Sequence, residues 1–231
     1  MNTTTRLLLL SGLALFAATG VAVTCSDMGD DVTRCRLEVT QDVTLESGSR
    51  NYDYLDYLII AEHPYYPLKR SLIQFEDLPA TDGCETLVDA TMYIYFNYAH
   101  KASFSSVDDV PYVKHEAQLH RVLLPWDEDE ATSSYRLSGE GWNSQYLALD
   151  GTDASATVIG SNTMHIGQPA RFMAFEVKTA VQEWFFDSDP VDNNGLLLKV
   201  EDEELLGRDL RFYSNAYSDS NYHAFINVIC T

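Results

Sequence analysis

Apolar and polar residues alternate with a period of two over short runs along most of this chain. In residues 91–98, Met92, Ile94 and Phe96 fall on one face of a strand, and Tyr93, Tyr95 and Asn97 on the other. Residues 39–45 place Val39, Val43 and Leu45 on one alternating face, and Tyr57 to Ala61 has the composition of a more fully buried strand. A further run, Ser71 to Phe75, follows Pro64 and Pro67, which lack the N–H of a central ladder and so suit a connection. The same reasoning predicts strands at 117–124, 145–149, 156–160, 171–177, 195–200, 210–214 and 222–229, separated by turn-rich or acidic segments. One segment departs from this period. Val177, Val181 and Trp184, spaced by four and then three, align on one side of a short helix that would cover an open end of the fold. Many short strands with little helical periodicity predict an all-β protein: a jelly-roll-like two-sheet sandwich with a short helical cover. No internal repeat or long linker divides the chain, so residues 39–231 read as a single domain behind an N-terminal extension at 23–38.

Residues 1–22 have the layout of an export signal. Arg6 supplies positive charge, 7–21 is largely apolar, and Gly20 and Ala22 are small residues suited to cleavage before Val23. That apolar run is short for a membrane-spanning helix, which needs about 20 residues. The chain is therefore expected to be secreted, and to be extracellular or associated with a cell surface.

Charge and cysteines narrow the picture. A formal charge of −20 at pH 7 opposes nucleic acid and anionic membranes as partners and favours solubility and association with cations. The four cysteines, Cys25, Cys35, Cys84 and Cys230, have neither CxxC nor zinc-framework spacing. In an exported chain they read as two structural disulfides, for which three connectivities exist. The pairing expected is Cys25–Cys35 and Cys84–Cys230, a local closure near the N-terminus and a tie from the last strand to the body.

Catalytic signatures are weak. Asp127 to Glu130 and Glu201 to Glu204 are carboxylate runs that suit hydrated loops, because unpaired carboxylates are costly to bury. Their alternative use is a divalent cation held by converging loops, which makes calcium a candidate cofactor. Neither run has EF-hand spacing. His115 and His120 flank a near miss to the HExxH motif, but they stand five apart instead of four and border a strand, which would turn them to opposite sides. There is no Gly-x-Ser-x-Gly elbow. A noncatalytic protein is expected.

Aromatic residues point to binding. Tyr52, Tyr54, Tyr57, Tyr65 and Tyr66 cluster in the sequence, and Trp126 and Trp142 fall where loops are expected. Sugar rings stack their apolar faces on such side chains, while neighbouring polar groups meet their hydroxyls. Several segments in order resemble the DNRLRE-domain family, related to alginate-binding carbohydrate-binding modules: RSLIQFEDLP at 70–79, LHRVLLPWDEDEAT at 119–132, FEVKTAVQEW at 175–184, NNGLLLKV at 193–200, RFYSNAY at 211–217 and AFINV at 224–228. Thr132 to Tyr135 departs from that pattern, where a Thr-Trp pair is more typical. The resemblance covers 39–229 and implies an exported β-sandwich used at surfaces or beside carbohydrate-active modules. The function expected is a secreted binding module for extracellular polysaccharide, with Tyr65, Tyr66, Arg70, Trp126 and Trp142 as contacts. The alternative is a structural protein of an extracellular matrix, coat or surface assembly, in which the partner is a matrix protein or a second copy of the chain.

Overall fold

A computed structural model describes residues 23–48, 50–63, 66–79, 84–101, 114–165, 168–203 and 208–231. The expected leader at 1–22 lies outside them. In chain order the strands are β1 (Thr24–Asp27), β2 (Thr33–Leu45), β3 (Tyr57–His63), β4 (Tyr66–Phe75), β5 (Leu87–Lys101), β6 (Lys114–Val122), β7 (Tyr135–Leu137), β8 (Glu140–Gly141) and β9 (Ala154–His165). They continue with β10 (Arg171–Glu176), β11 (Leu196–Val200), β12 (Arg208–Tyr213) and β13 (Phe225–Cys230). A helical turn α1 (Lys178–Val181) runs into a wider π-type turn (Gln182–Phe186), and a 3₁₀ turn (Ser220–Tyr222) precedes β13.

The all-β class is as expected, but the sheet is not a jelly-roll sandwich. Strands β2, β13, β5, β12, β3 and β4 hydrogen-bond in a ring, and β4 pairs back onto β2, so six antiparallel strands close a barrel. Closure depends on the length of β2 and β4. The first half of β2 pairs with β13 (Leu37 opposite Ile226) and its second half with β4 (Val43 opposite Leu72). A bulge between Val39 and Gln41 lets β2 change neighbours, since an extra residue bends a strand and increases its twist. Residues 33–38 are thus the first half of a barrel strand. Strands β11, β6 and β9 extend the sheet outward from β4, β1 extends it beyond β2, and β10 pairs with β5.

Two apolar cores follow. The barrel interior takes the inward positions of each strand, among them Leu37, Ile60, Phe75, Met92, Ile94, Phe96, Leu210, Phe212 and Ile226. Val177, Val181 and Trp184 pack onto this core from the helical turn, as their spacing predicts. The second core lies on the opposite face of β2, β4, β11 and β6. Val43, Leu45, Leu72, Leu197 and Val122 meet Trp126, Ala131, Trp142 and Leu147 from an arm formed by residues 123–153. All five residues of β11 are buried, because Leu196, Leu198 and Val200 join the first core and Leu197 lies under the arm. That two-sided burial explains an uninterrupted Leu-Leu-Leu where alternation would otherwise be expected.

The segment 145–149 belongs to this arm and is not a strand. Tyr146 and Leu147 have positive φ angles of 65° and 67°, a region incompatible with a ladder, and Leu147 is buried against the second core. Asp153 holds the arm's fold by accepting from the backbone N–H groups of Asn143, Ser144 and Ala148. Burial alone would raise its pKa, but these bonds and the Asn143 side chain outweigh it and leave the carboxyl below its usual range.

Both expected disulfides are present, Cys25–Cys35 and Cys84–Cys230. Cys25 stands directly opposite Cys35 in the β1–β2 ladder. Among the described residues no helix is long and apolar enough to cross a membrane.

Candidate functional site

Of the residues expected to contact a ligand, the three whose side chains are described, Arg70, Trp126 and Trp142, are buried. Trp126 and Trp142 are 5% and 7% exposed and belong to the second core. Their ring N–H groups donate internally, Trp126 Nε1 to Asn194 O at 2.9 Å and Trp142 Nε1 to Thr132 O at 3.0 Å. Gly195 helps set the first of these contacts. Its φ of +75° turns the chain after Asn194, and a Cβ there would run into Ile73 O. Arg70 is also interior. Its Nε and one terminal nitrogen donate to the two carboxylate oxygens of Glu203, each at 2.7 Å, and the other terminal nitrogen donates to Tyr146 O and Leu147 O. The fork thus fastens the arm and one carboxylate of the 201–204 run to β4. Tyr65 lies outside the described residues, and of Tyr66 only the backbone at the start of β4 is described.

The acidic run 127–130 is likewise partly structural. Glu128 Oε2 accepts from Asp42 N at 2.9 Å and from Asn215 Nδ2 at 3.0 Å, while Asn215 N donates to Asp42 Oδ2 at 2.8 Å. Asp42 is 1% exposed and its Oδ1 has no hydrogen-bond partner among the described residues. Burial raises its pKa to about 8, helped by Glu128 and opposed by the Asn215 N–H. The carboxyl is therefore held protonated at neutral pH. His115 and His120 occupy opposite faces of β6: His115 shares the register face of Ala117 and Leu119, and His120 Nδ1 lies 3.0 Å from Ser155 O. Burial lowers the pKa of His120, and the nearby Lys199 and Arg70 charges add to this.

Another surface gathers the aromatic residues. On the outer wall of the barrel, the strands put half-buried rings and the exposed Phe172 side by side where their inward neighbours are apolar. Tyr93 of β5 stacks on Phe225 of β13 with centroids 5.1 Å apart. Phe172 of β10 meets Phe225 and Tyr95 edge-on at 5.7 and 5.1 Å. Tyr95 then stacks on Tyr213 of β12 at 5.4 Å, and Tyr213 on Tyr57 of β3 at 5.8 Å. The loop between β12 and β13 adds Tyr217, 3.7 Å above Tyr213, and Tyr222, 4.6 Å from Tyr95. That loop is itself ordered by hydrogen bonds: Tyr217 N donates to Ser214 O, a His223 ring nitrogen meets Tyr217 O, and Asp219 caps the 3₁₀ turn. Rings held this way lose little conformational freedom on meeting a ligand.

Guanidinium groups stand at both ends of this wall. Arg36 lies 3.6 Å over the Phe225 ring and pairs with Glu38 at 2.6 Å. Arg211 lies 5.8 Å over Tyr57 and 5.3 Å over Tyr98, donates to the Tyr98 hydroxyl, and pairs with Asp209 at 3.5 Å. The Tyr213 hydroxyl keeps its proton well above the usual tyrosine range. Its hydrogen bond with Tyr217 contributes most, followed by burial and the neighbouring phenols. The wall therefore offers apolar ring surface, phenol hydroxyls and cations already matched by their own carboxylates.

Tyr93 and Tyr95 were legible as the outer face of 91–98; their partners on β12, β10 and the 214–224 loop were not, because only register brings them together. A scan of the chain against protein-family models finds no match, and a search of curated proteins finds no relative. The DNRLRE resemblance rests on the sequence motifs alone.

Proposed function

We propose that this protein is a secreted, noncatalytic binding module that takes extracellular polysaccharide on the aromatic outer wall of its barrel. The observation that carries the reading is the continuous array from Phe225 through Tyr95 to Tyr217, built on four strands and one hydrogen-bonded loop. Pyranose rings bind by laying C–H faces on aromatic carbon and exchanging hydroxyl hydrogen bonds with phenols and amides. Two disulfides suit an oxidising compartment and support the extracellular part of the reading.

Charge favours a neutral polymer. Arg36 and Arg211 each have a carboxylate partner, and the exposed Asp89 and Glu176 occupy outward positions on β5 and β10 beside the array. A polyanion approaching a chain of net charge −20 would meet long-range repulsion that a neutral polymer does not. The test is a glycan array probed with the disulfide-bonded protein, with and without calcium, beside a folded Tyr95→Ala/Tyr213→Ala variant. Selective binding of neutral glycans that the variant loses is the expected result. No selective binding by the wild-type protein under either condition would sink the assignment.

A further inference from the structure

The two disulfides lie side by side. The sulfur atoms of Cys35, Cys84 and Cys230 all lie within 4.8 Å of one another, although Cys35 is bonded to Cys25 and Cys84 to Cys230. Strand register makes this happen. Cys35 pairs with Val228 and Thr33 with Cys230, so Cys35 and Cys230 are diagonal neighbours on adjacent strands, and both are fully buried. Cys84 reaches the same point because the chain beyond it is tied to the C-terminus, Glu85 N and Thr86 N both donating to Thr231 O. Cys25 differs from Cys35 in access. It is half-buried and sits on β1, a four-residue strand that pairs with β2 alone.

We propose that this cluster is a thiol–disulfide exchange site which takes a low-molecular-weight thiol at Cys25. The thiolate of the small molecule attacks Cys25 Sγ, forming a mixed disulfide there and releasing Cys35 as a thiolate. Cys35 then attacks a sulfur of the adjacent Cys84–Cys230 bond. A Cys35–Cys230 or Cys35–Cys84 bond forms, and the displaced cysteine leaves as a thiolate that takes a proton from water. Each step breaks one S–S bond and makes one, so no oxidant is consumed. The outcome is an edge strand carrying a small thiol, with β2 newly bonded covalently to β13 through Cys230 or to the segment before β5 through Cys84.

Proximity distinguishes this from ordinary reduction. An isolated disulfide attacked at Cys25 would return Cys35 as a free thiol and leave Cys84–Cys230 intact. Here the leaving thiolate is generated beside a second disulfide, where exchange is intramolecular and benefits from a high effective concentration.

The experiment treats the folded full-length protein with limiting glutathione, traps thiols by alkylation and maps disulfides by mass spectrometry. Glutathione on Cys25, together with Cys35–Cys84 or Cys35–Cys230 peptides and an alkylated Cys84 or Cys230, is the expected result. Modified Cys25 with alkylated Cys35 and only the native Cys84–Cys230 pair would overturn the proposal, as would no reaction at Cys25. A Cys25→Ser variant gives a second reading without added thiol: alkylation should distribute among Cys35, Cys84 and Cys230. In the Cys25→Ser/Cys35→Ser control it should fall to background at Cys84 and Cys230. Alkylation confined to Cys35 in the single variant would contradict exchange.

Discussion

The ring of Tyr217 stacks on that of Tyr213 with centroids 3.7 Å apart and planes 14° from parallel. Tyr213 belongs to a barrel strand and Tyr217 to the loop beyond it, so the loop is laid onto the wall by an aromatic contact as well as by its backbone bonds. Replacing Tyr217 with Ala is expected to remove an aromatic pair worth about 0.5–1.5 kcal/mol beyond buried area. Glycan affinity should fall by roughly 3- to 10-fold, in keeping with a loss of about 1 kcal/mol. Titration calorimetry checks this against a thermal melt of the same variant.

The buried tryptophans give a contrasting expectation. Trp142→Ala should destabilise the protein by about 3–5 kcal/mol, the usual cost of deleting a large buried aromatic side chain. Trp126→Phe, a milder change that keeps the packing, should lower the melting temperature and leave glycan affinity unchanged. Differential scanning calorimetry and the same titration separate the two effects. A large loss of affinity with unchanged stability would return Trp126 to the binding surface.

Removing Arg70 should be costly in the same structural sense. Arg70→Ala leaves Glu203 without its bidentate partner and the carbonyls of Tyr146 and Leu147 without their donor. Breaking a largely buried pair from one side costs about 3–5 kcal/mol. Chemical denaturation should show that loss, and limited proteolysis should cut first within the arm at 123–153.

Asp42 sets a pH dependence with a definite sign. Its pKa is about 8 in the folded protein, against the ordinary 3.8 of an exposed aspartate. Between those values the folded state holds a proton that the unfolded state releases. The contribution of Asp42 to stability is therefore fully present below about pH 4 and lost as pH rises to about 8, with a slope of at most about 1.4 kcal/mol per pH unit. Denaturation across this range should show a weaker decline in Asp42→Asn than in the wild type. Equal slopes would contradict a protonated Asp42.

Much of the barrel was legible locally. The alternation of 91–98 separates Met92, Ile94 and Phe96, all fully buried, from Tyr93 and Tyr95 on the outer wall. Closure was not legible, since it depends on the bulge between Val39 and Gln41 and the pairing of β2 with β4, which no local period records. The tryptophans misled for a related reason. Residues around Trp126 and Trp142 have loop composition, and loops normally lie exposed, but this arm folds over a second apolar face. The signal was in β11, whose unbroken Leu196 to Leu198 needs cover on both sides. Tyr213 and Tyr217 were within a motif already noted at 211–217, yet their meeting with Tyr95 required the β5–β12 register.

The central claim is the location of the polysaccharide site, and amide chemical-shift mapping with neutral oligosaccharides tests it most directly. Saturable shifts should concentrate in β5, β10, β12, the 214–224 loop and the start of β13, and they should vanish in Tyr95→Ala/Tyr213→Ala. Saturable shifts centred on the 123–153 arm, or no shifts with any neutral oligosaccharide, would contradict it.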